Sequence, residues 1–239
     1  MKIIIMGATS GIGLELARLY HNAGHKVAIA ARRIEILKEI SKELSDCPYE
    51  QIDIVKDNST SNFNKLIELL GGMDLYIHVS GIGKQNRSLD TDIELSTVET
   101  NVTGFTRMIN YVYHYFSNQG FGHIVVVTSI AGTKGIGVAP SYSASKRYNS
   151  IYLQALEQLS HIKGYKIIFT DIRPGFVDTE MLSKDFNYPM MMSSQKVAGL
   201  ILKGIAKRKR VITIDWRYRI LVMLWRLIPS CIWVKLKIG

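Results

Sequence analysis

The chain runs to 239 residues with 47% hydrophobic side chains, which suffices for a full core in one domain and argues against intrinsic disorder. Its two cysteines, Cys47 and Cys231, lie far apart with no metal-ligand spacing, which excludes a disulfide scaffold and fits a reducing compartment. The net charge of +10 sits at one end: residues 203–239 hold ten Lys and Arg against a single acid, Asp215, while the rest is nearly balanced.

The opening Met1-Lys2-Ile3-Ile4-Ile5-Met6 is too short for a secretory signal and reads as a first strand at 2–6. A turn, Gly7-Ala8-Thr9-Ser10-Gly11-Ile12-Gly13, leads from it into a helical pattern at 13–22. Glycines allow close backbone approach to a phosphate, and the helix start offers unpaired N–H groups and a positive dipole end. In strand–turn–helix context this is a dinucleotide-binding signal, and Gly7, Thr9, Ser10, Gly11, Ile12 and Gly13 are the expected contacts.

A second strand at 26–30 ends in Ala30-Ala31-Arg32-Arg33, with no acid before Glu35. An acid there would bond the ribose hydroxyls of NAD, whereas a guanidinium fork suits the 2′-phosphate of NADP. The reading is therefore NADP(H), held by Arg32 and Arg33. A helix at 34–44 and a strand at 49–53 follow, the latter ending at Asp53 and Ile54, beside the expected adenine position. Next come a helix at 61–70 and a strand at 74–79, running into His78-Val79-Ser80-Gly81.

Helical periodicity at 95–116 contains Asn101, a strand at 123–128 ends at Thr128-Ser129, and a helix at 142–162 opens on Tyr142 and Lys146. The Tyr–Lys spacing of four puts both on one helix face. A lysine cation beside the phenol is expected to lower its pKa, so that the tyrosine can protonate a carbonyl oxygen near neutral pH. A strand at 166–171, the run Arg173-Pro174-Gly175-Phe176-Val177-Asp178-Thr179, a helix at 195–206 and a strand at 211–215 complete the body. Seven strands alternating with helices predict an α/β, doubly wound, parallel seven-stranded Rossmann sheet spanning 1–215, with 216–239 as an amphipathic basic tail.

In these motifs the chain resembles the single-domain short-chain dehydrogenase/reductase family. The resemblance implies Tyr142 as proton donor and Ser129 as the group orienting the substrate oxygen. Lys146 is implied to bond the nicotinamide ribose, and Asn101 to hold a relay water. Gly81, Pro174, Gly175, Val177 and Thr179 are implied to pass beside the cofactor, and a homodimer or homotetramer through the helices at 95–116 and 142–162 is implied as well. Two positions depart from the family pattern: Met6 stands for threonine, and His78-Val79-Ser80-Gly81 for Asn-Asn-Ala-Gly. His78 reads as structural, and the six histidines form no metal-ligand cluster, so no metal is expected.

The substrate is expected to meet the loops at 130–140 and 181–194, the second carrying Phe186, Tyr188, Pro189 and Met190-Met191-Met192. Few charges line them beyond Lys134, Lys184 and Asp185, which favours a lipophilic ketone. The sharpest form is a long-chain 3-keto lipid such as 3-ketosphinganine; the alternatives are a soluble sugar, polyol or acyl thioester, or a non-catalytic NADPH sensor. In the tail, Ile220, Met223, Leu224, Leu227 and Ile228 form one helical stripe flanked by Arg and Trp, too short to span a bilayer, so that it either lies on a membrane surface or packs on the body or a subunit interface. The expected setting is the cytoplasm, peripherally at the inner face of the cytoplasmic membrane, with no nucleic-acid partner.

Overall fold

In the computed structural model, which describes residues 1–182 and 188–237, the predicted runs form strands, buried on both faces in the centre of the sheet and partly exposed at its two edges. The strands are β1 (Lys2–Met6), β2 (Lys26–Ala31), β3 (Tyr49–Gln51), β4 (Leu75–His78), β5 (Phe121–Val127), β6 (Lys166–Arg173), β7 (Val177–Asp178), β8 (Met192–Ser193) and β9 (Val211–Thr213). Seven of them make one sheet in the order β3-β2-β1-β4-β5-β6-β9, and β7 pairs with β8 in a small second ladder. All pairings are parallel, with Ile3 opposite Val27 and Leu75, and Ile124 opposite Phe169. Near-continuous Ile and Val runs are what a sheet covered on both sides requires.

Alternation along the strands divides the core into two layers. Ile3, Ile5 and Ile29 pack with Leu16, Leu37, Val197 and Ile201 of α1 (Gly11–Asn22), α2 (Ile34–Glu43) and the later helix at Ser194–Ala206. Ile4, Met6 and Ile124 face the other side, against Phe63 of α3 (Ser59–Leu70) and further helices described next.

The helical periodicity at 95–116 resolves into three pieces: α4 (Thr91–Val98), a π-helical turn (Glu99–Gly104) and α5 (Phe105–Gln119). The helix starts early because Asp90 caps it, accepting from Asp92 N at 3.0 Å and Ile93 N at 3.2 Å. The π turn carries Asn101; such turns break the regular ladder and often mark functional positions. After β5, a short 3-10 turn (Ile130–Thr133) leads to α6 (Pro140–Ile162), with proline in its first turn. The chain then passes through β6 to β8, α7 (Ser194–Ala206) and β9.

Strand β3 stops at Gln51, two residues short of the predicted end, because Asp53 starts a turn by accepting from Val55 N at 3.3 Å. The tail forms α8 (Trp216–Leu227) and α9 (Ser230–Trp233). Tyr218 and Val222 of α8 are buried against Ile130, with Phe176, Met190, Leu221 and Trp225 packed around them.

β1 and β4 are adjacent, and the connections leaving their carboxyl ends run in opposite directions across the sheet. That reversal opens a crevice beyond the strand ends, the position where open α/β sheets bind ligands. The glycine turn, Gly81 and Ser129 all follow strands that end there.

Candidate active site

The glycine turn is dictated by sterics. Gly7 has φ of +93° and Gly11 of +53°, and a Cβ on Gly13 would collide with the Gly7 carbonyl oxygen. Only glycine at these positions lets α1 begin so close to the end of β1. The first-turn N–H groups of α1 are thereby presented at the crevice.

Arg33, directly before α2, reaches back onto this turn. Its Nε donates to Thr9 Oγ1 at 3.1 Å, and Nη2 donates to Thr9 Oγ1 and Ser10 Oγ, both at 2.9 Å. Its Nη1 pairs with Glu180 Oε2 at 2.9 Å. Arg33, Thr9 and Ser10 thus form one hydroxyl-rich cluster in which the guanidinium is paired with Glu180, a partner that a phosphate dianion would have to displace. Arg32 is exposed, and only its carbonyl is engaged, accepting from Gln51 Nε2 at 2.8 Å. Asp53 is half-buried after β3, and Ile54 is a core residue whose carbonyl accepts from Arg107 at 3.0 Å. Thr179 lies across the turn, its methyl 2.9 Å from where a Cβ on Gly11 would stand.

On the other side of the crevice, Ser129 ends the loop after β5 and caps the 3-10 turn, its Oγ accepting from Ala131 N at 3.1 Å. The Ser129 side chain favours the ionised form of the Tyr142 phenol. Lys146, 5% exposed, donates from Nζ to Val127 O at 3.1 Å and stands 5.8 Å from the Tyr142 ring centroid. The expected depression of the Tyr142 pKa is not what the folded chain produces. Burial pushes the phenol above its ordinary value, and Ser129 only partly offsets this. Burial also brings Lys146 down to about 8, opposed by the charge of Asp171.

The Asn101 side chain is fixed by the backbone of Ile82, accepting from its N at 2.9 Å and donating to its O at 2.7 Å. It also donates to Ser145 Oγ at 3.1 Å, while Asn149 holds the Asn101 carbonyl at 2.7 Å. Gly81 lies between these groups: a Cβ there would stand 3.1 Å from Asn101 Oδ1 and 3.2 Å from Lys146 Nζ. Pro174 O accepts from Ile130 N at 3.0 Å, tying the loop after β6 to the 3-10 turn. Gly175 is packed under the Tyr218 ring, and Val177 is buried in β7.

His78 is fully buried, with Nδ1 2.8 Å from Tyr76 OH and no partner for Nε2 among the described residues. Burial and the nearby Lys146 cation push its pKa down to about 3, so it is neutral, consistent with a packing role. Among the described residues no group of three His, Cys, Asp or Glu side chains is placed to hold a metal ion.

Three contributors escaped the sequence reading. Gly83 lies beneath Tyr142, where a Cβ would come within 2.6 Å of the ring. Asp171 is buried under Lys146, accepting from Thr128 Oγ1 at 2.5 Å and pairing with Arg173 at 2.6 Å. An aspartate ending an otherwise apolar strand was the available signal. Glu180, the partner of Arg33, carried no sequence signal, because nothing local links it to a residue 147 positions earlier.

A model described as short chain dehydrogenase matches residues 1–188. The chain belongs to the short-chain dehydrogenase/reductase family. An uncharacterized oxidoreductase of Mycobacterium tuberculosis is 30% identical over 226 residues, covering 90% of this chain and 88% of that protein. A short-chain dehydrogenase from Sphingobium yanoikuyae, solved with NADPH, superposes with a TM-score of 0.81 at 21% identity, covering 96% of each chain. A short-chain dehydrogenase/reductase from Burkholderia phymatum, solved with NAD, gives 0.84 at 18%, covering 93% of this chain and 92% of that one. These two likenesses establish the fold.

Proposed function

We propose that this short-chain dehydrogenase/reductase reduces a lipophilic ketone to a secondary alcohol with NADPH. The observation that carries the reading is the convergence of Ser129, Tyr142 and buried Lys146 at the carboxyl end of the sheet, facing the glycine turn. The nicotinamide, when bound, supplies hydride to the carbonyl carbon. Negative charge then develops on the carbonyl oxygen, where the Tyr142 and Ser129 hydroxyls act as donors and Tyr142 delivers the proton. Lys146 favours that charge electrostatically, and Asn101 holds the Ile82 backbone in place beside Tyr142 and Lys146.

The choice of NADPH rests on Arg33. Together with Thr9 and Ser10 it would hold the 2′-phosphate; Pro174, Gly175, Val177 and Thr179 would flank the other end of the cofactor. Arg33→Ala is expected to weaken NADPH binding while leaving NADH binding nearly unchanged. Charge-assisted hydrogen bonds of this kind are worth about 1.5–3 kcal/mol, roughly tenfold to a hundredfold in Kd. Fluorescence titration of the two cofactors checks this, and equal loss for both would remove the assignment.

The substrate class rests on the loop after β7. Phe176 and Tyr188 stand 4.8 Å apart, and Phe176 and Met190 pack beside Ile130 and Tyr218. The methionine run is divided: Met190 joins that cluster, Met191 is exposed and Met192 is buried in β8. Lys184, Asp185 and Phe186 lie outside the described residues. A long-chain 3-keto lipid of the 3-ketosphinganine type is the reading these apolar walls support. NADPH oxidation across ketones of increasing chain length tests it: kcat/KM is expected to rise about fourfold per buried methylene until the pocket is full, from about 0.8 kcal/mol each. A flat profile would return the substrate to the soluble metabolites.

A further inference from the structure

Helix α8 carries two apolar stripes on opposite faces. Tyr218, Leu221, Val222 and Trp225, spaced by three and four, pack inward on the body. Trp216, Ile220, Met223, Leu224 and Leu227, at the same spacing on the outer side, are exposed at 46–74%. The exposed character continues beyond the helix in Ile232, Val234 and Leu236. A surface helix of a globular protein ordinarily shows one apolar stripe and a polar outer face. Here the inner stripe already accounts for the folding of the tail, so the outer one is left without a partner.

The charges around this face have one sign. Arg219 and Arg226 sit on the exposed side of α8, and Lys235 and Lys237 follow α9. The only acid of residues 203–239, Asp215, is neutralised by Arg217 at 2.8 Å and caps the helix. Beside the tail, a cleft between the loop after Ser129, α6 and the last residues is lined by Arg87, Lys134, Arg147, Arg173, Arg226 and Lys237, with no acidic side chain among the described residues. Of these, Arg173 is committed to Asp171, and Lys134 donates to Ile228 O at 2.8 Å.

We propose that the outer face of α8, with residues 230–237, is a docking surface for an anionic phospholipid bilayer. Apolar side chains interleaved with Arg and Trp match the headgroup boundary, where the apolar stripe enters lipid and the cations meet phosphate. A second copy of this chain is disfavoured as occupant, because juxtaposed basic faces repel. No helix among the described residues is long and apolar enough to cross a membrane, so the contact is peripheral.

The inner face gives the contact a consequence. Tyr218 OH accepts from Phe176 N at 3.1 Å and donates to Pro189 O at 2.8 Å, so α8 ties the segment before β7 to the segment before β8. Docking therefore acts on two segments that the substrate reading assigns to the lipophilic ketone. That consequence rests on the proposed substrate class, whereas the docking itself does not.

The test is sedimentation of full-length protein with vesicles of phosphatidylcholine, with and without phosphatidylglycerol, at low and high salt. Two variants accompany it: Met223→Asp/Leu227→Asp, and Arg219→Gln/Arg226→Gln/Lys235→Gln/Lys237→Gln. Thermal unfolding and NADPH binding should match the parent in both, since these side chains are exposed. Expected is salt-sensitive binding to anionic vesicles that falls at least about tenfold in each variant. Absence of binding by the folded parent overturns the proposal. Binding lost only in the charge variant also overturns it, reducing the contact to attraction for any polyanion. Self-association abolished by the aspartate variant, without vesicle binding, overturns it in favour of a second copy. Because no ketone enters this assay, it stands or falls separately from the substrate assignment.

Discussion

Tyr142→Phe is expected to lower kcat for ketone reduction by about 10²–10⁴, the range for loss of a positioned general acid, with NADPH binding essentially unchanged. Phenylalanine preserves the ring that packs over Gly83 and removes only the hydroxyl. The unfavourable burial of that hydroxyl goes with it, so the variant should be at least as stable as the parent. Stopped-flow reduction with cofactor and ketone both saturating isolates the chemical step. A rate within a few fold of the parent would mean that another group delivers the proton. A cellular role that survives the substitution would revive the reading of the chain as a cofactor-binding sensor.

Much of this site could be read before the fold was seen, and the reason is the shortness of the links involved. Gly7, Gly11 and Gly13 act within one turn, Tyr142 and Lys146 within one turn of α6, and Ser129 thirteen residues ahead of Tyr142. The central strands β1, β2, β4, β5 and β6 were legible for a similar reason: strands buried on both faces are largely apolar, and glycine marks many of the turns between them. Boundaries moved where a local hydrogen bond competed with the pattern. Asp90 started a helix early and Asp53 ended a strand early, both through Asx-type bonds that hydrophobic periodicity does not register.

What stayed hidden depends on separation or on burial. Glu180, just after β7, meets Arg33, just after β2, through a contact across 147 positions that nothing local in the sequence records. The π turn at Asn101 leaves the apolar spacing of the flanking helices nearly intact, so the pattern reads as one helix. The tail was legible as amphipathic, but not as doubly so, because whether Tyr218 or Ile220 faces the body is decided by the pocket that Ile130 and Phe176 offer. The Tyr142 pKa rises rather than falls for a related reason. Helical spacing places lysine near tyrosine, but the degree of burial, which governs the sign for both groups, is set by the whole domain.

That burial makes Lys146→Met the more diagnostic substitution. The variant is expected to lose most of its reductase activity and to gain stability near neutral pH. In the folded protein the lysine titrates at about 8 against an ordinary value of 10.5. Below pH 8 it is charged in both folded and unfolded chains, and the folded state bears the full penalty of burying the charge. Between pH 8 and 10.5 the unfolded chain still holds a proton that the folded protein has released, so parent stability climbs toward that of the variant. Above 10.5 the lysine is neutral in both states and the penalty is gone. At roughly 1.4 kcal/mol per tenfold in proton affinity the penalty at pH 7 is about 3 kcal/mol. Methionine leaves Val127 O without its donor, which returns about 1 kcal/mol. The net expectation is a variant about 2 kcal/mol more stable than the parent at pH 7, with the difference shrinking as pH approaches 10. Asp171 keeps Arg173 as a partner in the variant, so no new buried charge is stranded. Urea unfolding at pH 7 and pH 10 measures the difference directly. A variant less stable at pH 7, or a gap that widens with pH, would show that Lys146 holds the fold together rather than being tolerated there for catalysis.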